Sequence, residues 1–364
     1  MLGKRKQITL TLTQKCNLKC SYCYEENKTY RTMEWETAKE IIDFELADSK
    51  YEEYELDFFG GEPFLQFDLM KKIFEYVNET YSEKPIVFFA TTNGTLVHGE
   101  IKEWLTENKD RVWCALSLDG NKLMHDINRC DSFDLIDIDF FLKSWPTQDL
   151  KMTISQETLP YLSDGIIYLH EKNFCFTANL AYNIDWSNPD NEKIIERELM
   201  KLIDYYIANP SVQPCSLFTI PIFKIAIENS TETLRQCGAG LDLISYDVDG
   251  KAYPCQFFMP LSAGDKAKTI EEIEFKEMVT RDDLWGDCKT CIAAPICHTC
   301  YGANFLATGN IFRKDDNWCK LQKIIFKANA FFKAKQFELG VLSSPEEQTG
   351  YLLKSILMLL NDFA

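Results

Sequence analysis

The stretch CNLKCSYC at residues 16–23 decides the fold of this chain, because it places three cysteines on one short segment. Cys16, Cys20 and Cys23 are separated by three and then two residues. Three thiolates at this spacing can ligate three irons of a cubic [4Fe–4S] cluster and leave the fourth iron open for chemistry, whereas full ligation is typical of electron transfer or structure. A zinc knuckle or buried core thiols are the alternatives. Zinc prefers four closed ligands, so the isolated CxxxCxxC run favours the cluster.

The composition is that of a globular, strongly acidic chain. Its 364 residues, of which 46% are hydrophobic, suffice for one large domain and a smaller one. A net charge of −17 argues against an extended nucleic-acid surface, and no apolar run is long enough for a membrane span. The N-terminal segment lacks the apolar core of a signal peptide. Fourteen cysteines without such a signal indicate a reducing compartment and metal ligation, so we expect a cytoplasmic protein.

Residues 1–210 alternate between strand-like and helix-like stretches. Period-two or continuous apolar runs predict strands at residues 7–13, 54–58, 86–90, 112–118, 151–154 and 174–180. Helical spacing lies between them, as at Ala38, Ile41, Ile42 and Leu46. Roughly six βα units in series predict an α/β fold in which a parallel sheet curls into a partial, TIM-like (β/α)6 barrel.

The unusual residues follow the predicted strands. The cysteine loop, Gly60–Pro63, Thr91–Gly94 and Ser117–Gly120 each come directly after a strand. In a βα barrel the carboxyl ends of the strands meet at one mouth, where active sites lie. We therefore expect these four segments to form one site.

The pattern changes after about residue 210. Seven cysteines lie between Cys237 and Cys319, and loops replace the βα alternation. A segment with a small core needs additional stabilisation, which in a reducing compartment comes from metals. Residues 324–337 and 351–360 then show helical periodicity. We expect a barrel at residues 1–210, a small cysteine-rich domain at 211–325 and a helical C-terminal segment at 326–364.

Together these motifs resemble the radical S-adenosylmethionine (SAM) superfamily. FFGGEP at Phe58–Pro63, TTNGT at Thr91–Thr95 and SLDG at Ser117–Gly120 are similar to its motifs and follow the cysteine loop in the same order. The resemblance implies that SAM binds the open iron of the first cluster. It further implies that an electron from the cluster yields a 5′-deoxyadenosyl radical, which abstracts a hydrogen atom from the substrate.

The resemblance also assigns contacts with SAM. The Gly60–Gly61 pair would let the backbone approach the methionyl end closely, and Glu62 would accept a hydrogen bond from its ammonium group. Asn93 and Ser117 would bind its carboxylate and ribose, and Tyr22 would offer an aromatic face near the adenine. Taken singly, each motif could also be an ordinary turn or strand end.

The later cysteines resemble a SPASM auxiliary-cluster domain. Cys237, Gly250 and Cys255 are similar to its opening, whereas two residues rather than the usual three separate Cys297 from Cys300 near its close. By the family's interleaved pattern, the distal auxiliary cluster would be ligated by Cys288, Cys291, Cys297 and Cys319. The proximal auxiliary cluster would be ligated by Cys237, Cys255 and Cys300, which leaves it one protein ligand short.

Two outcomes are open for the missing ligand. Cys215 could complete the proximal set, or the iron could stay open for a thiolate of the substrate, which we favour. Cys215 could equally be a core thiol. Zinc is the alternative for this whole region, although seven cysteines do not divide into complete Cys₄ sites. His298, between two of the cysteines, could contact a cluster without binding it.

The remaining cysteines are expected to be unligated. Cys114 lies within a predicted strand and Cys175 beside another, so we expect both to be core thiols. Cys130 is expected to bind no metal either.

The resemblance implies an enzyme that modifies peptides. We expect SAM and three [4Fe–4S] clusters as cofactors, a ribosomally made peptide as substrate and thioether crosslinks as product. Carbon–carbon or carbon–oxygen crosslinking and epimerisation are alternatives. Formylglycine formation, as in anaerobic sulfatase maturases, is disfavoured because Gln256 follows Cys255 where those enzymes have a basic Asp. A non-enzymatic iron–sulfur scaffold is disfavoured because it needs no motifs at the strand ends.

Partners follow from the same resemblance. The chain begins only fifteen residues before Cys16, which leaves no room there for a leader-binding module. We therefore expect leader recognition by the barrel, the C-terminal helices or a separate protein. Flavodoxin or ferredoxin is the expected electron donor, and no nucleic-acid or membrane partner is expected.

Overall fold

The computed structural model describes residues 5–47, 50–227, 233–342 and 346–362. Its strands are β1 (Arg5–Thr13), β2 (Glu53–Gly60), β3 (Ile86–Thr92), β4 (Val112–Leu116), β5 (Leu150–Ile154), β6 (Phe176–Leu180), β7 (Leu243–Tyr246) and β8 (Ala252–Tyr253). Its α-helices are α1 (Trp35–Ala47), α2 (Phe67–Thr80), α3 (Gly99–Asn108), α4 (Lys122–Asn128), α5 (Ile138–Ser144), α6 (Leu162–Glu171), α7 (Asp190–Ala208), α8 (Pro260–Ala263), α9 (Tyr301–Thr308), α10 (Asp316–Glu338) and α11 (Glu346–Asp362). Within these described ranges, no helix combines the length and the apolar character needed to cross a membrane.

The main sheet has the strand order β4–β3–β2–β1–β7–β8. Neighbouring strands in this order are parallel from β4 through β3, β2 and β1 to β7, and β8 is antiparallel to β7. Strands β5 and β6 form a second, two-stranded sheet. The predicted α/β class with a mostly parallel sheet is therefore confirmed.

Strand β1 is buried on both of its faces. Because successive side chains alternate across a strand, one face carries Ile8, Leu10 and Leu12, and the other carries Thr9, Thr11 and Thr13. Burial on both faces is typical of strands inside a parallel sheet. The second face is polar. The hydroxyl of Thr9 on this face donates a hydrogen bond to Oδ2 of Asp57 at 3.4 Å.

The chain divides into two compact units, each discontinuous along the sequence. The first unit comprises Met1–Leu118, His125–Lys151 and Cys237–Glu277. The second comprises Asp119–Met124, Met152–Gln236 and Met278–Ala364. This division follows packing rather than chain order, and the domain limits at residues 210 and 325 stay predictions.

In the first unit, α1 and α2 present apolar faces whose spacing the sequence had indicated. Their buried residues are Ala38, Ile41, Ile42 and Leu46 on α1, and Met70, Ile73, Phe74 and Val77 on α2. The ring of Phe74 lies 4.9 Å from that of Phe88 on β3, centre to centre. Helix α2 thus packs against the sheet that carries the cysteine loop.

The second unit has a core built by α10, α11 and short 3₁₀ turns. Its buried members are Ile222, Ile225, Ala293, Ile296, Phe326, Ala330, Leu352, Ile356 and Leu359. Cys291 and Cys297 pack against the edge of this core. The core therefore supports the loop that carries the later cysteines.

Candidate functional site

The three cysteines of the first loop are half-buried and follow β1. The N–H of Cys23 donates to the carbonyl of Cys20 at 3.2 Å, and the N–H of Ser21 donates to the carbonyl of Asn128 at 2.9 Å. Burial raises the pKa of the Cys16 thiol. The loop is thus held by its own turn and by the end of α4.

Two basic side chains approach these thiols. The Nζ of Lys28 lies 3.7 Å from Sγ of Cys23, and Nη1 of Arg129 lies 3.9 Å from Sγ of Cys20. The Arg129 guanidinium also lies 5.4 Å from the centre of the Tyr22 ring. Positive charge favours thiolates, the form that ligates iron. Sequence reasoning missed both residues, because a side-chain contact such as that from Arg129 to Cys20 has no spacing pattern.

The Gly60–Gly61 pair touches the backbone that leads into the cysteine loop. The N–H of Gly61 donates to the carbonyl of Thr13 at 3.0 Å. Gly60 has φ of +139°, and a Cβ there would lie 2.0 Å from the same carbonyl oxygen. A Cβ on Gly61 would lie 2.3 Å from the carbonyl oxygen of Lys15. Only glycine fits this close approach of β2 to β1.

Glu62 is buried and joins the turn after β2 to the end of β3. Its carboxylate accepts hydrogen bonds from the N–H of Phe64 at 3.3 Å, the hydroxyl of Thr92 at 2.8 Å and the N–H of Asn93 at 2.9 Å. Burial raises the pKa of Glu62 to about 7, although these hydrogen bonds and the charge of Arg129 oppose the rise. Glu62 therefore titrates near neutral pH.

Asn93 and Ser117 complete the connection between the four strand ends. The side-chain amide of Asn93 donates to Oδ1 of Asn17, in the cysteine loop, at 2.9 Å. The N–H of Ser117 donates to the carbonyl of Thr92 at 2.9 Å, and both Asn93 and Ser117 are buried. The structure thus brings the cysteine loop, Glu62, Asn93 and Ser117 together in the first unit.

In the second unit, four cysteines line one cavity. These are Cys288, Cys291, Cys297 and Cys319, the set predicted for the distal auxiliary cluster. Leu234, Val279, Leu284, Ala294 and Phe312 supply apolar walls. Burial raises the pKa of the Cys288 and Cys319 thiols, and the neighbouring Cys297 adds to the rise. The four side chains thus line the same cavity, and their role as cluster ligands stays a prediction.

Lys314 is a basic residue in the same cavity. Its Nζ lies 2.7 Å from Sγ of Cys297, and its charge lowers the pKa of Cys288 and Cys319 against the effect of burial. It also donates to the carbonyl of His298 at 3.4 Å. Burial, together with the charges of Lys314 and Lys224, lowers the pKa of the His298 imidazole.

The cysteines predicted for the proximal cluster are distributed over both units. Cys237 and Cys255 belong to the first unit, and Cys300 belongs to the second. Cys300 lines a different cavity from the four distal cysteines, together with Tyr182, Trp186 and Trp318. The proximal set stays a prediction.

Cys215 is buried in the second unit. Its N–H donates to the Tyr206 hydroxyl at 3.1 Å, and burial raises the pKa of its thiol. It is absent from the described residues that line the Cys300 cavity. This environment suits a core thiol.

The other three cysteines differ from one another. Cys114 is buried, as expected, and burial raises its pKa. Cys130 is exposed and donates to the carbonyl of Lys19 at 3.0 Å. The expectation that Cys175 is a core thiol was wrong, because it is exposed. It lies just before β6, between the buried Phe174 and Phe176.

No three His, Cys, Asp or Glu side chains in the described part of the chain converge as they would around a single metal ion. The cysteines of a cubic cluster bind separate irons, so they need not converge on one point. The two thiol sets are therefore candidates for a cluster and not for a single metal ion.

Comparison with known proteins matches a family described as a 4Fe-4S single cluster domain to residues 2–121. The radical SAM cyclopropyl synthase TigE of Paramaledivibacter caminithermalis is 22% identical over 358 residues, which is 88% of this chain and 73% of TigE. The matched domain contains the cysteine loop and all three later motifs.

The chain is thus similar to a radical SAM enzyme over most of its length.

An uncharacterized protein of Methanocaldococcus jannaschii, MJ0907, is 34% identical to this chain over 176 residues. That match spans 46% of the chain and 60% of the archaeal protein. Among solved structures, native anSMEcpe with bound AdoMet and Cp18Cys peptide is 20% identical with a TM-score of 0.68. The match covers 93% of the chain and 100% of anSMEcpe, which shows that the two proteins share a fold.

The thiols of this chain fit iron–sulfur clusters. Cys16, Cys20 and Cys23 supply three thiols beside two cations, the donor set for a cluster with one open iron. The Gly60–Gly61 pair lies against the backbone of Thr13 and Lys15, which leads into this loop. The four-thiol cavity of the second unit likewise has the donor set for a fully ligated cluster.

Proposed function

We propose that this chain is a radical SAM enzyme that modifies a ribosomally made peptide. The observation that carries the proposal is the junction of the cysteine loop with Glu62, Asn93 and Ser117. An electron carrier needs thiols alone, whereas this junction adds a buried carboxylate and two polar strand ends beside them. Such convergent polar groups at the carboxyl ends of parallel strands are typical of an active site.

In this proposal the residues hold the cofactors and exclude water. Cys16, Cys20 and Cys23 would hold the first cluster, and Gly60–Gly61, Glu62, Asn93, Ser117 and Tyr22 would hold SAM. When bound, SAM supplies the radical that abstracts a hydrogen atom from the substrate. Glu62 would present an acceptor to the SAM ammonium group. Arg129 would balance the charge of the thiolates and position the Tyr22 ring.

The choice of a peptide substrate draws support from the relatives. The anSMEcpe structure holds a bound peptide, and this chain shares its fold over nearly the whole length. Within peptide modification we favour thioether formation, because the predicted proximal set of Cys237, Cys255 and Cys300 lacks a fourth protein ligand. A substrate cysteine thiolate could occupy that position. Gln256 beside Cys255 does not favour formylglycine formation, because an amide does not accept a proton at neutral pH.

The proposal includes further components that follow from the resemblance. These are two auxiliary [4Fe–4S] clusters, a flavodoxin or ferredoxin donor, a cytoplasmic location and recognition of the leader by this chain or by a separate protein. Seven cysteines between Cys237 and Cys319 support the auxiliary clusters.

The first experiment tests the radical chemistry. The chain is reconstituted anaerobically with iron and sulfide, reduced with dithionite and given SAM. We expect 5′-deoxyadenosine and methionine in equal amounts from the wild type and neither from the C16A/C20A/C23A variant. The C175S variant, altered at an exposed cysteine, is the matched control and should keep full activity. Equal yields from the wild type and the triple variant would overturn the proposal.

The second experiment tests the product. Small peptides encoded in neighbouring reading frames are coexpressed with the chain and analysed by mass spectrometry before and after thiol alkylation. A thioether removes two hydrogen atoms and blocks one cysteine from alkylation. Loss of two hydrogens with every cysteine still alkylated would instead support a carbon–carbon or carbon–oxygen crosslink. Deuterium uptake at an α-carbon without loss of mass would support epimerisation.

A further inference from the structure

Lys314 is a buried cation in an apolar cavity. Only 8% of its surface is exposed. Its Nζ lies 2.7 Å from Sγ of Cys297 and 4.7 Å from the centre of the Trp318 ring. The cation–π contact and the sulfur contact hold the ammonium group in place. A Lys is almost never buried to this degree unless it is paired with an anion.

The anion that would pair with Lys314 is the thiolate set of the same cavity. Cys288, Cys291 and Cys319 line it with Cys297, and the remaining walls are largely apolar. Another cation near these loops, Arg281, donates to the carbonyls of Lys289 and Cys291 at 3.1 and 2.9 Å. Arg281 therefore fixes the backbone, whereas Lys314 directs its charge at a sulfur.

A charge in this position acts on the redox state of whatever the thiolates hold. The potential of an iron–sulfur cluster depends on its net charge, its solvent exposure and the hydrogen bonds to its sulfurs. One-electron reduction adds a negative charge, with no bond made or broken in the protein. An ammonium group in contact with a ligating sulfur stabilises that added charge, and the effect is large where water is scarce.

We propose that Lys314 favours the reduced state of the cluster ligated by Cys288, Cys291, Cys297 and Cys319, and so makes this cavity the place where an electron is stored. The inference rests on the proposed function, which supplies the cluster. It gives Lys314 a positioning role: the residue touches neither SAM nor substrate, and it sets the direction in which electrons flow between clusters. In the reaction, the electron would come from the oxidised substrate; in a test, it comes from dithionite.

The test is a reduction potential measured on the reconstituted full-length chain. Electron paramagnetic resonance signals are followed during anaerobic titration with dithionite and redox mediators. The signal that disappears in the C288S variant is assigned to the distal cluster. In K314M we expect the equilibrium constant for reduction of that cluster to fall about tenfold, which is about 59 mV for one electron. K314R, which keeps the charge, should stay within about threefold of the wild type.

Matched variants separate the charge from other effects. K320M changes an exposed lysine on α10, the helix that follows Lys314, and should leave the potential unchanged. K314Q keeps a hydrogen-bond donor without charge and should fall between the wild type and K314M. If K314M fails to hold iron, the reduction potential of K314Q is compared with that of the wild type instead.

The outcomes distinguish two failures. A wild-type chain with no signal that depends on Cys288 would overturn the distal cluster and, with it, the role of Lys314. A normal signal whose potential is the same in K314M, K314Q and the wild type would overturn only the role of Lys314.

Discussion

The backbone N–H of Asn93 donates a hydrogen bond of 2.9 Å to Oε2 of Glu62. This bond joins the end of β3 to the turn after β2, and it gives a buried carboxylate a neutral donor rather than a cation. Asn93 in turn reaches the cysteine loop through Asn17. The predicted SAM contacts are thus coupled to one another before any ligand binds, and changes at one should be measurable at the others.

Glu62 should make the stability of the apo chain depend on pH. Burial raises its pKa to about 7 in the folded state, so the folded chain binds this proton more tightly than the unfolded chain does. The contribution of Glu62 to the free energy of unfolding is therefore most favourable below its pKa in the unfolded chain. It becomes unfavourable as the pH rises to about 7. Relative to E62Q, the wild type should lose about 2 kcal/mol of unfolding free energy between about pH 5.5 and pH 8.

Urea unfolding at several pH values measures this difference. The buried Glu25 also has a pKa raised to about 7 by burial, but it is present in both proteins and cancels. E103Q, at an exposed position on α3, is the control and should follow the wild type. A difference between wild type and E62Q that does not vary with pH would contradict the assignment.

A methyl group at position 61 should disturb the cysteine loop. The added Cβ of G61A would lie 2.3 Å from the Lys15 carbonyl oxygen and 2.9 Å from Cβ of Cys16. Since a backbone atom cannot yield as a flexible side chain does, we expect a loss of about 2 kcal/mol of stability or more. Iron bound after reconstitution should fall with it. Thermal unfolding and an iron assay provide the measurements.

The control for this variant is G350A on α11, where a Cβ would meet nothing within 4 Å. It should raise stability by up to about 1 kcal/mol, because alanine favours a helix over glycine. Normal stability and iron content in G61A would show that the loop can move away from β2 at little cost.

Asn17 and Asn93 should be energetically coupled. Their side chains share a hydrogen bond of 2.9 Å across two loops. A double-mutant cycle with N17A and N93A should give an interaction energy of about 1 kcal/mol in urea unfolding. N108A is the control, because the side-chain amide of Asn108 donates to the carbonyl of Trp104 within α3. The stability effects of N108A and N17A should be additive. Additivity in both cycles would mean that the contact contributes nothing in solution.

Cys297 should be required for one cluster but not for the others. The C297S variant should lose about four irons per chain, since only the distal cluster loses a ligand. C175S should lose none, because that thiol is exposed and lies outside both thiol sets. Iron and sulfide assays on the reconstituted proteins measure the loss. An iron content in C297S equal to that of C175S would count against the distal assignment.

The features that could be predicted from the sequence are those with local patterns. Strand β1 and helix α1 were visible because apolar residues recur every two or every three to four positions. The position of the four motifs at strand ends followed from the same pattern. The exposure of Cys175 did not follow from such a pattern, because the residue lies just before β6 and not within it.

Contacts between distant residues had no such pattern. Arg129 approaches Cys20 across 109 positions of the chain, and Lys314 approaches Cys297 across 17. Neither pair lies at a helical or strand spacing. The cations beside the thiols could therefore be found only after the fold had placed them there.

The pairing of Leu243 on β7 with Gln7 on β1 has a consequence for synthesis of the chain. Until the ribosome has made residue 243, one edge of the central strand has no neighbour. At usual translation speeds this delay is on the order of 10 to 50 s. An exposed edge of a buried strand invites pairing with other nascent chains. We expect the newly made protein to depend on chaperones during this interval, and to acquire its iron only after translation has passed β7.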